Sequence, residues 1–250
     1  MNGLLEEVKQ DVMFLLAFLL VVVLMFAVAI LIDKLFDKRR GVKEKILTTR
    51  MVTITGMFSA IALVLYLFDF PLPFLAPGFY KVDFSELPVL IGSFAFGPVA
   101  GVMIEFCKVL LKILTKGTNT AFVGDFANFV IGCSLLLPAS AVYAFVKNKK
   151  GAIVGCITGT LCMTVFGTLF NALYLLPTYA RMGMMPMDKI IASGAALNPS
   201  IHSITGFVCI CVAPLNLVKG TVISLITMLI YKPLSPIIKE GHIQKQNRKG

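Results

Sequence analysis

The segment "APLNLVKGTVISLI" (213–226) carries Asn216 and Lys219 in a stretch otherwise apolar enough to cross a membrane. A lysine at the bilayer centre costs roughly 2.5–3.5 kcal/mol on insertion scales, so such residues face a bundle interior or a polar cavity. Three positions apart, the two lie about 60° apart around a helix axis and share a face. Other polar residues interrupt apolar runs in the same way: Asn171 in "LFNALYLL", Asn128 in "GDFANFVIG", and Glu105 with Lys108 in "VMIEFCKVLL". Glu105 and Lys108 have the i,i+3 spacing of a helical pair. Amides offer donors and acceptors, and an ammonium offers three donors. Set among Phe, Leu and Met, these groups suit a flat heteroaromatic ligand with carbonyls and ring nitrogens. The residues alone leave a second reading open. Asparagines also bridge helices, for about 0.6 kcal/mol each, and Glu105–Lys108 also reads as a purely structural ion pair.

The elements that position these groups follow from composition. Of 250 residues, 58% are hydrophobic and 14% charged, against about 45–50% and 25% in a soluble domain. The fold class is therefore an all-α integral membrane bundle. The net charge of +10 does not point to nucleic acid, because the basic residues fall in loops between apolar runs, as the positive-inside rule places them. "VMFLLAFLLVVVLMFAVAILI" (12–32) is long enough to span. Glu6, Glu7 and Asp11 precede it and a Lys/Arg-rich segment follows, which predicts an external N-terminus. Six more spans follow at 51–68, 86–97, 99–115, 124–146, 152–176 and 213–232, the last running inward to a basic tail. The expected organisation is an extra helix and basic linker over 1–46, a six-helix substrate-binding domain over 47–235, and a cytoplasmic tail over 236–250. Residues 177–212 read as an external loop with short helices or as a partly re-entrant segment. At 1.5 Å per residue, Asn128, Asn171, Asn216 and Lys219 all fall in the outer half of the bundle.

The same sequence excludes other classes. Its six cysteines show neither CxxC nor Cys/His ligand spacing and fall in apolar runs, where they read as small buried hydrophobes, and His202 reads as a loop residue. No metal constellation and no acid–base or nucleophile set converges, so the chain is not read as an enzyme. No GxxxxGK[ST] motif is present to cradle ATP phosphates. Gly56 and Ala60 in "TGMFSAIA" form a small-xxx-small face that admits a second helix, for self-packing or for docking.

At "FYKVDFSELPVLIGSFAFGPVAGVMIEFCKVLL", "GDFANFVIG", "LFNALYLLPTYA" and "PLNLVKG" the chain resembles one family over 47–235. These are the riboflavin-binding S components of energy-coupling factor (ECF) vitamin importers. The resemblance implies a six-helix membrane fold that binds riboflavin from outside as transported ligand, without a cofactor. It implies as partners a transmembrane scaffold subunit, two ATP-binding subunits and the surrounding membrane lipid. It assigns Asn171, Asn216 and Lys219 to the isoalloxazine edge, and the 70–85 loop with Lys81, Asp83 and Glu86 to a lid. It also places the Gly56/Ala60 face against the scaffold. Asn128, Glu105 and Lys108 complete the candidate site. Two features depart from the family pattern, the first span and the long segment over 181–212. Rival readings are FMN, another flavin or another vitamin, a phosphorylated ligand wanting further cations from Lys81, Lys116 or Arg181. A structural membrane protein whose polar residues only join helices is a further alternative.

Overall fold

A computed structural model describes the backbone of residues 2–40 and 48–246 and the side chains of 13–38 and 48–230. In lipid a helix satisfies its backbone within one segment, and the long apolar runs take that form. In chain order they give α1 (Asn2–Arg40), α2 (Thr49–Leu67), α3 (Glu86–Phe96), α4 (Pro98–Lys116), α5 (Val123–Phe145) and α6 (Lys149–Phe170). Short helices α7 (Leu176–Arg181), α8 (Met187–Ala195) and α9 (Ile204–Phe207) precede the long α10 (Ala213–Gln246). The expected bundle of one N-terminal helix plus six is therefore present. Five stretches among the described residues are long and apolar enough to cross a membrane: Met13–Lys38, Thr49–Leu67, Val123–Phe145, Lys149–Arg181 and Ile204–Ile230. α3, at 11 residues, is shorter, and α4 carries Glu105, Lys108, Lys112 and Lys116. Both pack inside the bundle, where their charges find partners.

Local chemistry sets the helix ends. Thr48 Oγ1 accepts from the Met51 N–H at 3.3 Å and starts α2, while Asn148 Oδ1 accepts from the Gly151 N–H at 2.9 Å and starts α6. Gly97 turns the chain between α3 and α4 at φ +98°, and a Cβ there would lie 2.9 Å from Asp33 Oδ1. The missing side chain thus admits a carboxylate from α1 to the positive end of α4. α5 and α6 approach closely because Gly155 and Gly159 face the backbone oxygens of Ala139 and Leu135, at 2.6 and 2.5 Å from where a Cβ would stand.

α1 lies along α4 and α5. Its Phe14 and Phe18 meet Phe126, Phe26 meets Phe106, and Phe36 meets Phe145. Contacts that rise together along both chains make α1 parallel to α5. The linker 41–47, and with it the expected domain boundary at 46–47, lies outside the described residues, as do the side chains of the basic tail. The α10 backbone continues unbroken across 235.

Between α2 and α3 the Pro-rich loop folds into a hairpin of β1 (Phe70–Pro71) and β2 (Lys81–Val82), antiparallel, with Phe70 opposite Val82 and Pro71 opposite Lys81. Residues 177–212 form α7, α8, α9 and a π-helical turn, Val208–Val212. Ile190, Ile201 and Phe207 from this segment pack with Ala76 and Val82 of the hairpin in one apolar cluster. The segment folds as short helices, and its two ends continue the apolar stretches Lys149–Arg181 and Ile204–Ile230. Cys133, Cys156 and Cys211 are buried as expected, but Cys209 is exposed, because its side chain falls on the outward face of the π-helical turn. His202 is exposed in its loop.

Candidate functional site

Beneath the hairpin is a cavity of about 400 Å³, and Asn128, Asn171, Asn216 and Lys219 all line it. Three different helices bring these groups together. α5 contributes Asn128 near its start, and α10 contributes Asn216 and Lys219 in its first two turns. Asn171 ends α6 and opens a π-helical turn, Asn171–Leu175, in which the Leu176 N–H donates to the Asn171 carbonyl. Single π-turns of this kind concentrate at functional sites. A strained corner lies next to the wall, between its lining residues Thr120 and Gly124. Ala121 and Phe122, at φ 44° and 66°, hold left-handed backbone just before α5, and Thr118 Oγ1 accepts from the Phe122 N–H at 3.0 Å. Such strain is held only where the surrounding structure fixes it.

The hydrogen bonds separate engaged groups from free ones. Asn171 Oδ1 accepts from Tyr80 Oη at 2.5 Å, and Asn171 Nδ2 donates to the Gly167 carbonyl at 2.7 Å. Lys219 Nζ lies 3.2 Å from Asp83 Oδ2 and 3.0 Å from each Glu86 oxygen. Asn216 Nδ2, by contrast, is buried and has no partner. A buried amide donor without a partner costs about 1–3 kcal/mol, and this one belongs to a residue that lines a cavity. Asp125 Oδ2 is likewise unpartnered.

Glu105 and Lys108 do not line the cavity. They lie behind its wall, both fully buried, with Lys108 Nζ 2.7 Å from Glu105 Oε1 and 3.5 Å from Glu86 Oε1. Lys108 also donates to Asn128 Oδ1 at 3.4 Å and stands 5.5 Å from the centroid of the Tyr66 ring. Asn128 Nδ2 in turn donates to Tyr66 Oη at 3.0 Å. Gly132 on α5 leaves the room the Glu105 carboxylate occupies. The ions therefore alternate in sign, Glu105, Lys108, Glu86, Lys219 and Asp83, which is how a low-dielectric interior tolerates them.

Lys81, Asp83 and Glu86 line the cavity from the hairpin and the start of α3. Four lysines line it in all (Lys81, Lys112, Lys116, Lys219), and so do four acids (Asp69, Asp83, Glu86, Asp125). Each lysine has a carboxylate: Lys81–Asp69 at 3.2 Å, Lys112–Asp125 at 2.6 Å, Lys116–Asp69 at 3.9 Å, and Lys219 as above. The lining is charge-neutral. Arg181, the third cation considered for a phosphate, is exposed and outside the lining.

The sequence reading missed Tyr66, Tyr80, Lys112 and Asp125. Two of these carried a signal, since Asp125 stands three residues before Asn128 and Lys112 one turn after Lys108. Burial among apolar neighbours pushes the Tyr80 phenol well above its usual range, so it stays a neutral donor. Gly56 and Ala60 are exposed on α2, and nothing lies within 4 Å of a Cβ built at Gly56.

Comparison with known proteins decides the family. Residues 50–231 match the model of "ECF transporter, substrate-specific component". The chain belongs to this family of S components. The riboflavin transporter RibU of Staphylococcus aureus (strain TCH60) is 38% identical over 190 residues, 76% of this chain and 92% of the relative. The riboflavin transporter FmnP of Bacillus subtilis (strain 168) is 32% identical, over 76% of this chain and 95% of the relative. A solved structure described as the S component of a bacterial ECF transporter superposes with a TM-score of 0.57 at 36% identity, covering 76% of this chain and 98% of that one. An S component is a membrane-embedded, multi-pass transport subunit and not an enzyme. The family match begins at residue 50, inside α2's first turn, so α1 lies outside it.

Proposed function

We propose that this S component captures riboflavin at the outer membrane face for ATP-driven import. The observation that carries the reading is the cavity's polar inventory: amides from three helices, one of them an unpartnered donor, in a lining of balanced charge. A neutral flavin with ring nitrogens and carbonyls suits such a lining, and about 400 Å³ is within the range of small-molecule sites. Asn216 and Asn171 contact the isoalloxazine edge, with Asn128 beside them. Lys219, which the resemblance assigns to the isoalloxazine edge, instead fastens the lid through Asp83 and Glu86, since both carboxylates already hold its ammonium. Lys108, paired with Glu105, holds Glu86 and Asn128 from behind. The 70–85 hairpin is the lid, anchored through Asp83 and Glu86, with Lys81 at its rim.

The charge balance favours riboflavin over FMN, whose phosphate would find each cavity lysine already paired. In the proposed orientation the N-terminus is outside and the C-terminus cytoplasmic. The chain then works with a transmembrane scaffold subunit and two ATP-binding subunits, the scaffold meeting the exposed Gly56/Ala60 face. The test is an absorbance spectrum of ligand released from protein purified without added flavin, followed by competition among riboflavin, FMN, thiamine and pantothenate. A flavin spectrum and displacement by riboflavin are expected. A colourless extract from protein that also ignores riboflavin overturns the reading.

A further inference from the structure

Gly167 stands on α6 four residues before Asn171 and is buried behind the cavity lining, between Asn171 and Asn216, which do line it. Its carbonyl accepts from Asn171 Nδ2 at 2.7 Å. Its missing side chain faces the other cavity amide. A Cβ built at Gly167 falls 2.6 Å from Asn216 Nδ2 and 3.4 Å from Asn216 Cγ, with Ile131 Cγ2 next at 3.6 Å. One residue therefore meets both amides, giving its oxygen to the first and the space of a methyl group to the second.

This differs from the other glycines of α6. Gly155 and Gly159 face backbone oxygens of α5, which a methyl group could displace only by pushing two helices apart. At Gly167 the crowded atom is the end of one short side chain, and Ile131 is at ordinary contact distance. An added methyl group turns the Asn216 amide and leaves the helices in place. Asn216 Nδ2 is the unpartnered donor of the site, so its direction matters to a ligand more than to the fold.

We infer that Gly167 is a positioning residue of the ligand site, orienting Asn171 through its carbonyl and seating Asn216 by lacking a side chain. The inference rests on the riboflavin reading above and deepens it. No motif of the sequence points to this position, because the relation runs between α6 and α10, 49 residues apart from 167 to 216.

The test is a double-mutant cycle of Gly167→Ala and Asn216→Ala in the full-length protein, read by riboflavin fluorescence titration and thermal denaturation in detergent. Gly167→Ala is expected to keep its thermal midpoint and to weaken riboflavin binding about tenfold, as for one misdirected hydrogen bond. In the Asn216→Ala background the same methyl group is expected to change affinity less than about twofold, because the coupled term is gone. Unchanged affinity in Gly167→Ala, or an equal loss in both backgrounds, overturns the inference. Should Gly167→Ala fail to fold, the double variant decides. Recovery of folding supports the seating of Asn216, and continued misfolding overturns it. Riboflavin binding by the unaltered chain is measured first: its absence overturns the proposed function, whereas binding by the unaltered chain without coupling between positions 167 and 216 overturns only this inference.

Discussion

Tyr80 donates a hydrogen bond of 2.5 Å to Asn171 Oδ1, joining the hairpin over the cavity to an amide in its wall. On the proposed reading, in which this hairpin is the lid, riboflavin entering beneath it breaks this link. Removing one such bond is worth about 0.5–1.5 kcal/mol. Tyr80→Phe is therefore expected to speed riboflavin association and dissociation together, by about two- to tenfold, with a smaller change in affinity. Stopped-flow fluorescence measures both rates. A variant whose rates match the parent shows that the link does not gate the cavity.

The same link predicts a flat pH response. Burial raises the Tyr80 phenol above its ordinary value, so the folded protein favours the neutral donor. The contribution is complete below the ordinary phenol range and is lost only as pH rises toward the raised value. Dissociation is expected to be constant from about pH 6 to 9, well below a free phenol's pKa of about 10. A titration near pH 8 would assign gating to another group.

Lys219 has both Asp83 and Glu86 at 3.2 Å or less. Lys219→Met leaves two buried carboxylates without it, a change typically worth roughly 3–5 kcal/mol. The expected result is a clear drop in thermal midpoint together with weaker binding. Lys219→Arg, which keeps the charge, should recover most of the stability. If Lys219→Met weakens binding with no loss of stability, Lys219 serves the ligand directly and does not fasten the lid.

Asp69 neutralises both Lys81 and Lys116 at the cavity rim. The intact protein is expected to bind riboflavin about tenfold more tightly than FMN. Asp69→Asn should narrow that preference by about threefold, since exposed pairs are worth no more than ~1 kcal/mol. Competition titrations in low salt give the ratio. A preference that Asp69→Asn leaves untouched contradicts the charge-balance argument.

Helix positions were readable from apolar run length and from Gly and Pro at the turns, as Gly97 and Pro98 show. Depth arithmetic brought Asn128, Asn171, Asn216 and Lys219 to one level, and the four line one cavity. Tyr80 and Asp83 were harder to place, because their partners Asn171 and Lys219 lie 91 and 136 residues away. Local spacing carries no information about such pairs. The pairing of Glu105 with Lys108 was visible at i,i+3, but its place behind the wall depends on how α4 turns against α5. The 177–212 segment was ambiguous for a related reason, since its short helices gain their apolar contacts from the hairpin more than 100 residues earlier.

On the proposed reading Asn216, which lines this cavity and whose buried Nδ2 has no partner, is a flavin contact. The most direct test of that contact is a riboflavin titration of the unaltered protein and of Asn216→Ala, followed by quenching of flavin fluorescence. Saturable one-to-one quenching at or below micromolar ligand is predicted, weakened about tenfold or more in the variant while its thermal midpoint is kept. No saturable quenching, or equal affinity in the two proteins, contradicts the account.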